Sequence, residues 1–279
     1  MAGFFVALVI IDGWWDGSIT LNTADDVPRQ AVILTVLVAL MEVLAVREFG
    51  ALARLRGIKL AVPVASAGAA LLATGWFWQA GYGVPLGLYM TLALVASLSG
   101  LLIYQYRTAG FDRIMVQSGV GCLALIYLGL MGAFSLAIRI EYGLWTFLMF
   151  VFVIKFSDIG AFTVGSLMGK HKFAPRVSPA KTWEGLAGAM GFASLVAAIF
   201  AALTGVMSWP AGILFGAIFA VVGQMGDLTE SMFKRDAQAK DSSTSVPGFG
   251  GVLDVLDSPL FAAPFVYVFL WIHAHVASV

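Results

Sequence analysis

Apolar runs about as long as a lipid bilayer is thick recur along most of this sequence, and they decide its solvent before any motif is read. A hydrocarbon core of about 30 Å takes roughly 20 predominantly apolar residues per helix. Segments near residues 30–50, 60–79, 84–104, 116–138, 143–166, 185–207, 210–226 and 258–275 meet that length. Residues 3–15 make a shorter run interrupted by Asp12 and Gly13, either a ninth span or an interfacial helix. They lack a basic leader, so no cleaved signal peptide is expected. With 60% apolar and only 11% charged residues, the composition lies far from that of a water-soluble domain. The expected fold is therefore all-α, a polytopic integral membrane bundle of eight or nine transmembrane helices. Residues 1–279 are read as one integral domain, with 1–150 mainly membrane spans and 151–279 the half that carries the chemistry.

The sixteen Lys and Arg residues balance sixteen Asp and Glu, but they are not evenly placed. Alternate connections hold Arg47, Arg54, Arg56 and Lys59, then Arg107 and Arg113, then Lys170, Lys172, Arg176 and Lys181, then Lys234, Arg235 and Lys240. The opposite connections hold Arg29 and Arg139, while Lys155 lies inside a span. By the positive-inside rule the basic set faces the cytoplasm, at the cell's inner (plasma) membrane. The lone Cys122 lies in an apolar run and reads as a packing residue.

Two stretches on the basic side concentrate polar chemistry. In residues 157–185, SDIGAFTVGSLMGKHKFAPRVSPAKTWEG, Asp158 follows Lys155 by one helical turn in an apolar context. A charge deep in a bilayer costs on the order of 3 kcal/mol on insertion scales, so the two either neutralise each other locally or line a polar cavity. Ser178 before Pro179 has the form of a helix start, with Ser as N-cap, and such a terminus receives anions. Lys181, Thr182 and Glu184 crowd the turns that follow. An ordinary cap beside a headgroup-facing basic loop accounts for these residues equally well.

In residues 227–258, DLTESMFKRDAQAKDSSTSVPGFGGVLDVLDS, Asp227, Ser231, Lys234 and Arg235 fall on one face of a helix leaving the membrane. Residues 247–251, PGFGG, give a backbone able to approach a phosphate closely, and Asp254 and Asp257 share a face one turn apart. Two like charges so placed are unfavourable unless a cation or protons relieve them. Carboxylates at Asp227, Asp254 and Asp257 suit Mg²⁺, which takes hard oxygen ligands and shares its shell with substrate phosphates; a second cation is admitted. Simple helix capping by Asp254 and Asp257, and an i,i+4 pair of Glu230 with Lys234, are the structural alternatives.

These residues, SxxKRxxxxKD from Ser231 followed by PxxGGxxDxxD, resemble the signature of the phosphatidate cytidylyltransferases, or CDP-diacylglycerol synthases. DxGAF from Asp158 and VSPAKTWEG from Val177 are similar to other recurrent motifs of that family. The resemblance implies a metal centre at Asp227, Asp254 and Asp257, with Ser231, Lys234 and Arg235 near the phosphates. It further implies substrate contacts from Asp158, Ser178, Lys181, Thr182, Glu184, Lys240, Asp241, Gly250 and Gly251. The implied reaction joins CTP and phosphatidic acid at the bilayer, giving CDP-diacylglycerol and pyrophosphate, with Mg²⁺ as cofactor. No nucleic-acid partner is expected, and a homodimer is admitted. The chain departs from the family pattern at Phe249, where His is usual, and at Val255, where Arg is usual; Val246 is a milder change.

Other classes fit part of the pattern. A CTP-dependent lipid kinase or another lipid-phosphate nucleotidyltransferase uses the same kind of site, and an inactive homologue would retain it. A transporter would use Glu42, Lys155 and Asp158 as an ion path, but no comparable polar cluster marks the far side. A CDP-alcohol phosphatidyltransferase requires a DGxxAR run, which is absent.

Overall fold

A computed structural model describes residues 2–17, 31–240, 242–243 and 250–277. Among them the chain is helical apart from short connections and one isolated β-bridge between Lys172 and Thr182. The helices are α1 (Ala2–Trp15), α2 (Val32–Leu55), α3 (Val62–Ala73), α4 (Gly75–Tyr82), α5 (Leu86–Ala109), α6 (Ile114–Ala124), a π-helical segment (Leu125–Leu130), α7 (Met131–Tyr142), α8 (Leu144–Met168), α9 (Trp183–Thr204), α10 (Trp209–Asp236) and α11 (Val252–Ala277). Six stretches among the described residues are long and apolar enough to cross a membrane: α5, the run Ile114–Tyr142, α8, α9, α10 and α11.

The differences from the expected spans have local causes. Glu42, Arg47 and Glu48 make α2 too charged for a continuous apolar window, although it is 24 residues long. The run at 60–79 divides at Thr74 into α3 and α4. The next apolar run carries the π segment, whose wider turn shifts the side-chain register between α6 and α7. α10 continues beyond residue 226 to Asp236, carrying charged residues out on the same helix.

The contacts group the chain into two units, Met1–Glu141 with Asp236–Val255, and Tyr142–Arg235 with Leu256–Val279. In the first, α3 packs on α2, α5 and the π segment. Its small face permits this: Ala65, Ala69 and Ala73 are fully buried. A Cβ on Gly129 would lie 2.7 Å from Ala69 Cα. Close backbone approach of this kind drives helix association in lipid. Arg139, expected in a far-side connection, is instead fully buried in α7. Its Nη2 lies 3.3 Å from Asp12 Oδ2 and 2.9 Å from Asp16 Oδ2, while Asp12 also accepts Ile33 N–H at 2.9 Å. The opposite charges make burial of this guanidinium tolerable.

In the second unit, α8 and α9 meet over most of their length. A Cβ on Gly160 would lie 2.6 Å from Gly188 O, and one on Gly188 would lie 2.5 Å from Val164 Cβ. Gly216 lets α10 approach the α9 backbone at Ala193 and Ser194. At Gly226, a Cβ would lie 2.9 Å from Asp257 O and 3.0 Å from Ser258 Cα. That contact sets α10 against α11 beside Asp227.

Candidate active site

The connection between α8 and α9 folds back on itself. Phe173 N donates to Lys181 O and Trp183 N to His171 O, at 3.3 and 2.9 Å. Glu184 closes the turn by accepting from Lys170 N at 3.2 Å, from His171 N at 3.2 Å, and pairing with His171 Nδ1 at 2.6 Å. The helix start expected at Ser178 lies four residues later: Thr182 is the N-cap of α9, its hydroxyl accepting from Gly185 N at 3.1 Å. Ser178 serves a tight turn, donating its N–H to Ala174 O at 2.9 Å and accepting from Lys181 N at 3.2 Å. Ser-Pro suits either role, and the bridge between Lys172 and Thr182 draws the chain into the turn.

This turn delivers Lys181 to α10. Its ammonium donates to Gln224 O at 3.0 Å and Gln224 Oε1 at 2.9 Å, and pairs with Asp227 Oδ2 at 2.8 Å. The side chain is only 9% exposed. Gln224 uses both ends of its amide, since its Nε2 donates to Asp158 Oδ1 on α8 at 3.2 Å. Two helices, α8 and α10, and the folded loop thus share one chain of polar contacts. Arg235 Nε holds the same loop from the end of α10 through Val177 O at 3.2 Å.

Asp227, Glu230 and Asp257 form the acidic centre, with one oxygen of each within 4.8 Å of the others. Glu230 is fully buried, and Asp257 is buried. Lys234 pairs with Glu230, and Ser231 Oγ donates to Asp227 Oδ1 at 3.3 Å. Three carboxylates against Lys181 and Lys234 leave negative charge in a confined space. Their hard oxygens suit a divalent cation such as Mg²⁺. Glu230 was legible in the sequence only as the partner of Lys234, because its second relation, to Asp257 on α11, depends on tertiary packing. Gln224 was missed altogether; an uncharged side chain one turn before Asp227 gave little signal.

Asp254 has other neighbours. Its Oδ2 accepts from Ser242 Oγ at 2.8 Å, Ser242 N at 3.3 Å and Gly251 N at 2.6 Å, closing the connection that precedes α11. Gly250 takes a left-handed φ of 87°. A side chain on Gly251 would collide with Ser242 Oγ and Glu48 Oε2. Both glycines therefore have a backbone role in this turn. Lys240 is exposed; Asp241, Val246 and Phe249 lie outside the described residues.

The chain is similar to known proteins. The profile of the "Cytidylyltransferase family" matches residues 26–273. A phosphatidate cytidylyltransferase of Bacillus subtilis (strain 168) is 39% identical over 188 residues, 65% of this chain and 68% of the Bacillus protein. One from Haemophilus influenzae is 43% identical over 124 residues, 42% of this chain and 43% of the relative. One from Staphylococcus aureus (strain COL) is 35% identical over 172 residues, 61% of this chain and 65% of that protein. The alignments thus span about two thirds of the Bacillus and Staphylococcus proteins and less than half of the Haemophilus protein.

Proposed function

From the premise that this chain belongs to the cytidylyltransferase family, we infer that it transfers CMP from CTP to phosphatidic acid, giving CDP-diacylglycerol and pyrophosphate. The observation that carries the reading is the meeting of Lys181 with Asp227 beside Glu230 and Asp257. Cationic and metal-ligating groups there serve a reaction between two polyanions.

In the step, an oxygen of the lipid phosphate attacks the α-phosphorus of CTP. The bond between that phosphorus and the α,β-bridging oxygen breaks, and its electron pair leaves on pyrophosphate. The attacking oxygen is already anionic, so no protein nucleophile or strong general base is required. Asp227, Glu230 and Asp257 would hold Mg²⁺, which supplies charge neutralisation at the phosphates and the leaving group. Lys181 and Lys234 add positive charge where negative charge builds up. Gln224 and the folded loop hold the Lys181 ammonium in position before substrate arrives, so little reorganisation is left for the reaction. The lipid acceptor keeps its acyl chains in the bilayer.

The concentration of Lys and Arg on alternate connections supports a cytoplasmic site at the inner membrane. The same alternation supports crossings by α2 and by the α3–α4 run beside the six longer apolar stretches, and α1 would make a ninth.

The test is purified protein in detergent with phosphatidic acid and CTP labelled at either the α- or the γ-phosphorus, with Mg²⁺ and with chelator. Transfer of α-label to lipid, with γ-label recovered in pyrophosphate, is expected only with the divalent cation. Transfer of γ-label to lipid would identify a kinase instead, and no transfer of either label would refute the enzymatic reading.

A further inference from the structure

Helix α11, which carries Asp257, begins without a capping side chain of its own. Its N-cap position is Gly251, and the first amides of any α-helix have no intrahelical acceptor. Ser, Thr, Asp or Asn normally supplies that acceptor from the N-cap position. Here it comes from Glu48 on α2, about two hundred residues earlier in the chain. Glu48 Oε1 accepts from Val252 N at 3.0 Å, and Oε2 accepts from Leu253 N at 2.8 Å. The same carboxylate accepts from Ser243 Oγ at 2.6 Å and faces Ser242 Oγ at 3.2 Å. It is 7% exposed. Asp254, at the third helical position, reaches back to Gly251 N at 2.6 Å, which is the returning half of a capping box. Gly251 has no side chain to make the forward half, and one would strike Glu48.

We propose that Glu48 is a positioning residue for the cytidylyl transfer: it completes the missing cap and fixes the residue at which α11 starts. α11 continues unbroken to Ala277, and Asp257 lies one turn beyond Asp254. The helical register set in the first turn therefore carries on to Asp257 along one continuous helix. Negative charge at a helix N-terminus is also favoured by the helix dipole. The role rests on the function inferred above.

The test compares the wild-type protein with Glu48→Gln, full length and in detergent, by hydrogen exchange and by turnover. In Glu48→Gln one of the two carboxylate oxygens that separately accept from Val252 N and Leu253 N becomes an NH2 donor, which turns an N–H towards an N–H. Exchange at the amides of residues 252–255 is expected to accelerate at least tenfold in Glu48→Gln, with α8 and α9 unchanged. At saturating CTP, phosphatidic acid and Mg²⁺, kcat is expected to fall at least tenfold, with each substrate KM within threefold. Leu52→Ala, a buried apolar change one turn further along the same helix, is the control for general destabilisation. It should leave both readouts within threefold. Glu48→Gln indistinguishable from wild type in either readout overturns the role, and so does an equal loss of turnover in Leu52→Ala. If Glu48→Gln is not recovered folded, Ser243→Ala carries the test: faster exchange at Val252 with reduced kcat supports the role, and no change in either refutes it. Wild-type protein that forms no CDP-diacylglycerol would refute the function itself; active wild type with an indifferent variant refutes Glu48 alone.

Discussion

Replacing Lys181 with Met should tighten metal binding while it slows turnover. The ammonium lies 2.8 Å from Asp227 Oδ2 and makes two further contacts to Gln224. It both neutralises the acidic centre and, on the proposed chemistry, stabilises the phosphates in the transition state. A unit-charge pair at about 4 Å is worth about 4 kcal/mol at an effective dielectric constant near 20. Asp227 is 35% exposed, so screening cuts its net share to about 1 kcal/mol. Without Lys181 that carboxylate is freer to bind a cation, and the Mg²⁺ concentration for half-maximal rate should fall roughly fivefold. Loss of a preorganised donor to developing charge costs about 3–4 kcal/mol, so kcat should fall roughly 10²- to 10³-fold. Both come from initial rates of CMP incorporation into lipid across a Mg²⁺ titration. A kcat within threefold of wild type, or a Mg²⁺ requirement that rises, would refute the assignment of Lys181.

Glu230→Gln should act oppositely on the metal: removing one of three clustered carboxylates should raise the Mg²⁺ requirement at least tenfold in the same titration. Arg139→Met removes the guanidinium that Asp12 and Asp16 both contact and should lower stability by about 3–5 kcal/mol. Thermal unfolding in detergent would read this loss, and adding Asp12→Asn and Asp16→Asn should recover most of it. Gly188→Leu drives a side chain into Val164 and the Gly160 carbonyl, so its unfolding midpoint should drop well below that of wild type. Gly191→Leu, where a Cβ meets open space, should unfold like wild type; equal losses in the two would mean that the α8–α9 contact is not what the glycine protects.

Much of the candidate site was legible because its residues recur at helical spacing. Asp227, Ser231 and Lys234 share a face in any helix, and α10 extends far enough to carry them all. The grouping of Asp227 with Asp254 and Asp257 was less secure, because a periodic pattern cannot tell a metal-facing carboxylate from a capping one. Asp254 sits at the third position of a helix whose preceding residue is glycine, and its oxygen turns back to Gly251 N. Asp257, one turn on, lies with Asp227 and Glu230. The Ser178 cap failed for a related reason: Ser-Pro suits a turn or a helix start, and a bridge ten residues wide decided between them.

By itself the sequence determined the solvent, the helical class and the family, since these follow from apolar run length, the need to satisfy backbone groups in lipid, and motif residues close together in the chain. It could not determine which distant groups become partners. Glu48 finds the start of α11, Arg139 finds Asp12 and Asp16, and Lys181 finds Gln224 and Asp227. Those pairings were decided by the tertiary structure, because glycines and alanines at a few crossings let backbones come within contact distance, and a buried charge is stable only where such a crossing brings it a partner.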